Sequence, residues 1–168
     1  MPVAYVALGS NLGDRLTTLL EAVRRLRKLG RVEVVSAVYE TDPVGFDDQP
    51  PYLNAVAQLR TDFQPQRLLA RLLEVEADLG RVRTFPNAPR TLDLDLLVYD
   101  DLVLDAPDLT LPHPRLHERA FVLVPLYEIA PELVHPRSGM SITDLLASLE
   151  PSIGVRRLDA VLSPSGES

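Results

Sequence analysis

The chain has 168 residues, 46% of them hydrophobic, which is enough apolar material to build one compact domain around one core. A net charge of -7 argues against a nucleic-acid surface, although 16 of the 17 basic residues are arginines that can gather at one anion site. With no cysteine, disulfides, thiol chemistry and thiolate metal sites are excluded, in keeping with a cytoplasmic location.

The N-terminal run Val3 to Leu8 is apolar throughout and stops at Gly9, too short for a signal sequence or a membrane span. It reads as a central strand that passes through Gly9-Ser10-Asn11-Leu12-Gly13-Asp14 into a helix, with Ser10, Asn11 or Asp14 as the cap. Leu16, Leu19, Leu20, Val23, Leu26 and Leu29 recur at helical spacing, so the helix is expected over about Arg15 to Leu29. Its terminal cluster Arg24, Arg25, Arg27 and Lys28 suits the helix dipole, with Gly30 beyond. The glycine turn is not a P-loop, because the Gly-Lys-Ser/Thr ending is missing.

Val32 to Tyr39 is expected as a second strand and Tyr52 to Leu59 as a third. The intervening Glu40 to Pro51 carries three prolines and a glycine, which suit a binding loop or plain surface rather than regular structure. Tyr52 and Asn54 share a strand face, where an aromatic and an amide could read a flat heterocycle or simply form a half-exposed surface. Gln64 to Leu79 is a second helix, ended by Gly80. Arg81, Arg83 and Arg90 then stand in a proline-containing loop that leads into Thr91-Leu92-Asp93-Leu94-Asp95-Leu96-Leu97-Val98-Tyr99.

In that stretch the period of two puts Thr91, Asp93 and Asp95 on one face and Leu92, Leu94 and Leu96 on the other. Residues two apart on a strand lie roughly 7 Å apart, a spacing from which two carboxylates can flank a pair of divalent cations about 3.5 to 4 Å apart. The alternative is that the pair forms the wet face of an edge strand. The fully apolar continuation suggests a strand buried on both faces, where neighbouring carboxylates repel unless a cation lies between them. Arginines on a loop beside such a pair are what phosphoryl transfer requires.

Beyond Tyr99, Leu102 to Leu104 and Leu109 to Pro112 read as short extended pieces, Phe121 to Ile129 and Ser141 to Leu149 as helices, and Val155 to Leu162 as a last strand or tail. His113 and His117 are four apart, but Pro114 between them and the lack of a third ligand argue against zinc. A phosphate contact suits His113 and Arg119 better. The expected organisation is a single domain over residues 1–162 with a flexible tail over 163–168.

Six segments, in this order, resemble the 6-hydroxymethyl-7,8-dihydropterin pyrophosphokinases of folate biosynthesis: Ala7 to Asp14, Tyr39-Glu40-Thr41, Gln49 to Ala55, Leu79 to Arg83, Pro89 to Asp95 and Pro112 to Leu123. The resemblance implies a transferase that moves the β,γ-pyrophosphate of ATP to a pterin alcohol and releases AMP. It also implies an α+β, ferredoxin-like, three-layer α/β/α sandwich with a mainly antiparallel central sheet. By the same resemblance Asp93 and Asp95 would hold two magnesium ions (Mg2+), and Tyr52 and Phe121 would sandwich the pterin. Asn54, Thr41 and the Val44 region would bond the pterin edge. Arg81, Arg83, Arg90, His113 and Arg119 would contact ATP phosphates, with Arg81 and Arg90 catalytic beside the aspartates, and Glu76 would lie near the adenosine. The partners implied are ATP and a reduced pterin, with no nucleic acid, no membrane and a monomeric chain. One segment departs from the family pattern: Thr84 to Pro89 lacks the further arginine and the tryptophan that many relatives carry there.

Overall fold

The computed structural model describes residues 1–11, 14–41, 51–80, 92–149 and 154–162. Its elements run β1 (Val3–Ser10), α1 (Arg15–Leu26), β2 (Arg31–Val35), β3 (Ala37–Thr41), β4 (Tyr52–Arg60), α2 (Pro65–Gly80), β5 (Asp93–Tyr99), β6 (Leu104–Ala106), β7 (Leu109–Leu111), a 3-10 turn (Leu116–Glu118), α3 (Ala120–Ile129), α4 (Ile142–Ala147) and β8 (Val155–Val161). The main sheet has the order β5-β1-β4-β3-β8 with β2 also on β4, and every pairing in it is antiparallel. With β2 and β3 counted as one interrupted strand along β4, the order up to β5 is the split β-α-β-β-α-β arrangement of ferredoxin-like folds, so the expected fold class is the one observed.

Alternation along the strands makes the three layers. Ala4, Val6 and Leu8 of β1 and Leu94 and Leu96 of β5 face α1 and α2, where Leu19, Val23, Leu26, Leu68, Leu72 and Val75 close one core. Tyr5, Ala7, Val56, Leu97 and Val98 face the other way, onto Val122, Leu123 and Leu126 of α3 and Ile142 and Leu145 of α4. Among the described residues no helix is long and apolar enough to cross a membrane.

Helix α1 is capped by Asp14, whose carboxylate accepts from the Thr17 amide at 3.1 Å, and α4 by Ser141, which accepts from Asp144. Ser10, an expected alternative cap, instead closes β1. Helix α1 also ends at Leu26 rather than Leu29, since Lys28 and Leu29 turn on bonds of 3-10 type. The turn continues into Gly30, where a Cβ would fall 2.0 Å from the Arg60 carbonyl, so only glycine lets the chain pass β4 there.

Two strand expectations need correction. Val32 to Tyr39 is two strands, broken at Ser36: its hydroxyl accepts the Val56 amide, and the register against β4 slips past it. Strand β5 ends the sheet order, although its leucines are buried on both faces. Its outer edge is covered from outside the sheet. The Glu76 carboxylate of α2 accepts the Leu94 amide at 2.6 Å, and the His113 amide donates to the Leu97 carbonyl at 2.8 Å.

Candidate active site

The sheet register assembles the site. Across neighbouring strands, Tyr39 of β3 stands beside Asn54 of β4, Asn54 beside Gly9 of β1, and Gly9 beside Asp93 of β5. One rung along, Ala7 lies between Val56 and Asp95. Gly9 and Ala7 share the face of both aspartates, so small residues floor the space between the acid pair and the Tyr52/Asn54 pair. Sequence reading overlooked both. Their signal is the spacing Ala7-x-Gly9, two small residues alternating with Val6 and Leu8.

That space is a cavity of about 150 Å³ bounded by Gly9, Tyr52, Asn54, Asp93, Asp95 and Phe121. Asn54 is buried and donates from Nδ2 to the Thr41 hydroxyl at 2.7 Å, which fixes the amide and leaves its Oδ1 on the Gly9 side. Burial raises the Tyr52 phenol above its usual value, with Asp93 adding to the effect, so the ring is neutral at physiological pH. The Arg119 guanidinium lies 5.5 Å from the centre of the Phe121 ring and 3.9 Å from the Asp95 carboxylate.

A second, open cavity of about 460 Å³ lies on the other side of the acid pair. Glu76, Asp93, Asp95, Pro107, Thr110 and His113 are among the residues that line it. The His113 Nδ1 accepts the Arg115 amide at 3.1 Å, so the neutral ring carries its proton on Nε2 as a donor. Burial lowers the pKa of His113; Asp95 opposes the shift, while Arg119 and Arg115 reinforce it. Pro107, Asp108 and Thr110, from the β6-β7 hairpin, were also overlooked, and no residue type there signals a ligand.

The two cavities meet at Asp93 and Asp95, the pair of aspartates that both contain. Tyr52, Asn54, Arg119 and Phe121 line the smaller one, and Glu76 and His113 the larger. Thr41 joins through Asn54. His117 parts from His113 and packs edge-on against His135, with ring centres 6.4 Å apart. Val44, Arg81, Arg83 and Arg90 lie outside the described residues. Among the described residues no three His, Asp or Glu side chains gather around one point. The acid pair therefore offers hard oxygen donors on one face and would leave most of a cation's coordination to ligand oxygens and water. That fits magnesium, which takes one or two carboxylates plus phosphates.

Fold and site together define a ferredoxin-like α+β protein with two cavities that share one carboxylate pair. Residues 5–131 match the family model of 7,8-dihydro-6-hydroxymethylpterin-pyrophosphokinase (HPPK), and the chain belongs to that family. Two relatives are named 2-amino-4-hydroxy-6-hydroxymethyldihydropteridine pyrophosphokinase. The one from Methylorubrum extorquens is 44% identical over 161 residues, covering 95% of this chain and 100% of its own. The one from Bacillus subtilis is 45% identical over 133 residues, covering 78% and 80%. The chain spans only 19% of the folic acid synthesis protein of Pneumocystis carinii, to which it is 42% identical over 139 residues. Among solved structures, the Plasmodium falciparum HPPK-DHPS superposes with a TM-score of 0.68 at 16% identity, over 88% of this chain and 43% of the other, a likeness of fold.

Proposed function

We propose that this chain is a transferase acting on ATP and 6-hydroxymethyl-7,8-dihydropterin in folate biosynthesis. The hydroxymethyl oxygen forms a bond to the β-phosphorus of ATP as the bond from that phosphorus to the α-phosphate oxygen breaks. AMP leaves, and the alcohol proton passes to solvent. The observation that carries this reading is that Asp93 and Asp95 belong to both cavities, so ligands on either side meet over one acidic face. The smaller cavity suits a flat heterocycle and the larger a nucleotide.

In this reading Tyr52 and Phe121 stack on the pterin from either side. Asn54 presents its Oδ1 to an N–H of the pterin edge, because its Nδ2 is engaged by Thr41. His113 donates from Nε2 to a phosphate oxygen, Arg119 leaves its perch near Asp95 to do the same, and Glu76 holds the wall beside the adenosine. Asp93 and Asp95 would hold two magnesium ions, which supply neutralisation of the triphosphate charge. The rest is positioning: the alcohol is held in line with the β-phosphorus, and fixed cations meet the charge that develops. Val44, Arg81, Arg83 and Arg90 enter on the family resemblance of their motifs, Val44 at the pterin edge and the arginines on the phosphates. Residues 1–162 acting as one domain, a monomeric state, a cytoplasmic location and the absence of nucleic-acid or membrane partners belong to the same proposal.

The test is to incubate the protein with ATP, magnesium and the hydroxymethyl dihydropterin and to follow nucleotide products. Pterin-dependent AMP with an equal amount of pterin diphosphate is expected. Phosphate release without an acceptor, or no AMP, overturns the reading.

A further inference from the structure

Two arginines away from the acid pair grip the frames of the two cavities. Arg15, the first residue of α1, donates from NH1 to the Pro51 carbonyl at 2.6 Å, and the same nitrogen lies 3.5 Å from the Glu40 carboxylate. Glu40 and Pro51 immediately precede Thr41 and Tyr52, which pair with each other across β3 and β4. One guanidinium therefore ties α1 to both strand ends that carry the pterin-facing pair. Arg156 of β8 holds the other oxygen of Glu40 at 3.0 Å, which keeps that carboxylate in place for Arg15.

Arg137 does the same for the other cavity. Its NH2 donates to the Asp105 carboxylate at 2.6 Å and to the carbonyls of Leu104 and Leu111 at 3.3 and 3.1 Å. Leu104 and Leu111 face each other across the open end of the β6-β7 hairpin. The turn and second strand of that hairpin put Pro107, Asp108, Leu109 and Thr110 into the nucleotide-side cavity. Neither Arg15 nor Arg137 lines a cavity itself.

We propose that Arg15 and Arg137 are positioning residues, each for one substrate: Arg15 holds the Thr41/Tyr52 frame for the pterin, and Arg137 holds the β6-β7 hairpin for ATP. In each case one terminal guanidinium nitrogen makes the contacts, NH1 of Arg15 and NH2 of Arg137, and a permanently charged donor on a long side chain reaches a carboxylate and a backbone carbonyl together. The inference rests on the pyrophosphokinase reading and adds two residues to it.

The experiment measures KM for each substrate at saturation of the other, with AMP as readout, in the full chain and in Arg15→Ala, Arg15→Lys and Arg137→Ala, together with the melting temperature of each. Arg15→Ala should raise KM for the pterin about tenfold with KM for ATP unchanged, and Arg137→Ala should do the reverse. Arg15→Lys, which keeps one charged nitrogen donor near Glu40 on a differently shaped head group, should recover part of the loss. A rise in both KM values together, as a merely structural role would give, overturns the proposal, and so do KM values within about twofold of wild type. Each arginine stands or falls on its own variant. If the unmodified chain makes no pterin-dependent AMP, the functional reading itself fails and takes this inference with it; if it turns over normally and the variants match it, only the inference fails.

Discussion

At the scale of single residues, Gly9 sets a steric constraint inside the site itself. A Cβ there would come within 3.1 Å of the Asn54 Oδ1 and 3.7 Å of the Tyr52 ring, so an added methyl must displace the amide that faces the small cavity. Gly9→Ala should raise KM for the pterin roughly tenfold and leave KM for ATP alone, as separate titration of the two substrates will show. A second prediction concerns His135, which is buried and whose Nδ1 accepts the amides of Arg137 and Ser138. Burial, then the neighbouring His117 and Arg137, lower its pKa from the ordinary 6.5. A base held below its unfolded pKa binds its proton more readily in the unfolded chain. Its contribution to stability is therefore complete above pH 6.5 and is lost as pH falls from there through the lowered folded value. Thermal melts from pH 7.5 downward should show a smaller acid loss in His135→Gln than in wild type. Equal losses in the two would assign the effect elsewhere.

At the scale of elements, the strand that carries the aspartates depends on a partner far away in sequence. Glu76 of α2 accepts the Leu94 amide at the outer edge of β5, and it is itself buried. Glu76→Ala leaves that amide unsatisfied and should cost about 1 to 3 kcal/mol in chemical denaturation, while Glu76→Gln keeps a carbonyl acceptor and should recover most of it. This bond also explains why β5 looked central from sequence. An unbroken run of leucines reports burial of both faces, whereas which edge is covered depends on a carboxylate 18 residues earlier. Ser36 was illegible for a similar reason: its hydroxyl replaces a backbone partner and breaks a strand whose apolar pattern runs straight through. The helices and remaining strands were legible because their apolar spacing coincides with the faces they bury. The start of α1 held because Asp14 caps it, α4 starts one residue late because Ser141 is its cap, and α1 ends three residues early where Lys28 and Leu29 turn on bonds of 3-10 type.

At the scale of the molecule, alternation and helical spacing conveyed the layers, and motif order conveyed the family. Neither conveyed that Asp93 and Asp95 stand between two cavities. The junction arises from sheet register, which sets Gly9 and Ala7 between β4 and β5, and from the β6-β7 hairpin that walls the larger side. Hence Tyr52 and Asn54 could be singled out from their shared face, whereas Pro107 and Thr110 acquire a role only through the fold. The most direct test of this arrangement is pterin-dependent AMP formation by Asp95→Asn, which removes one charge from the junction without changing its shape. An unchanged melting curve with turnover reduced at least about a hundredfold at saturating magnesium is expected; turnover within a few fold of wild type rules out Asp95 as the metal-holding residue of the junction.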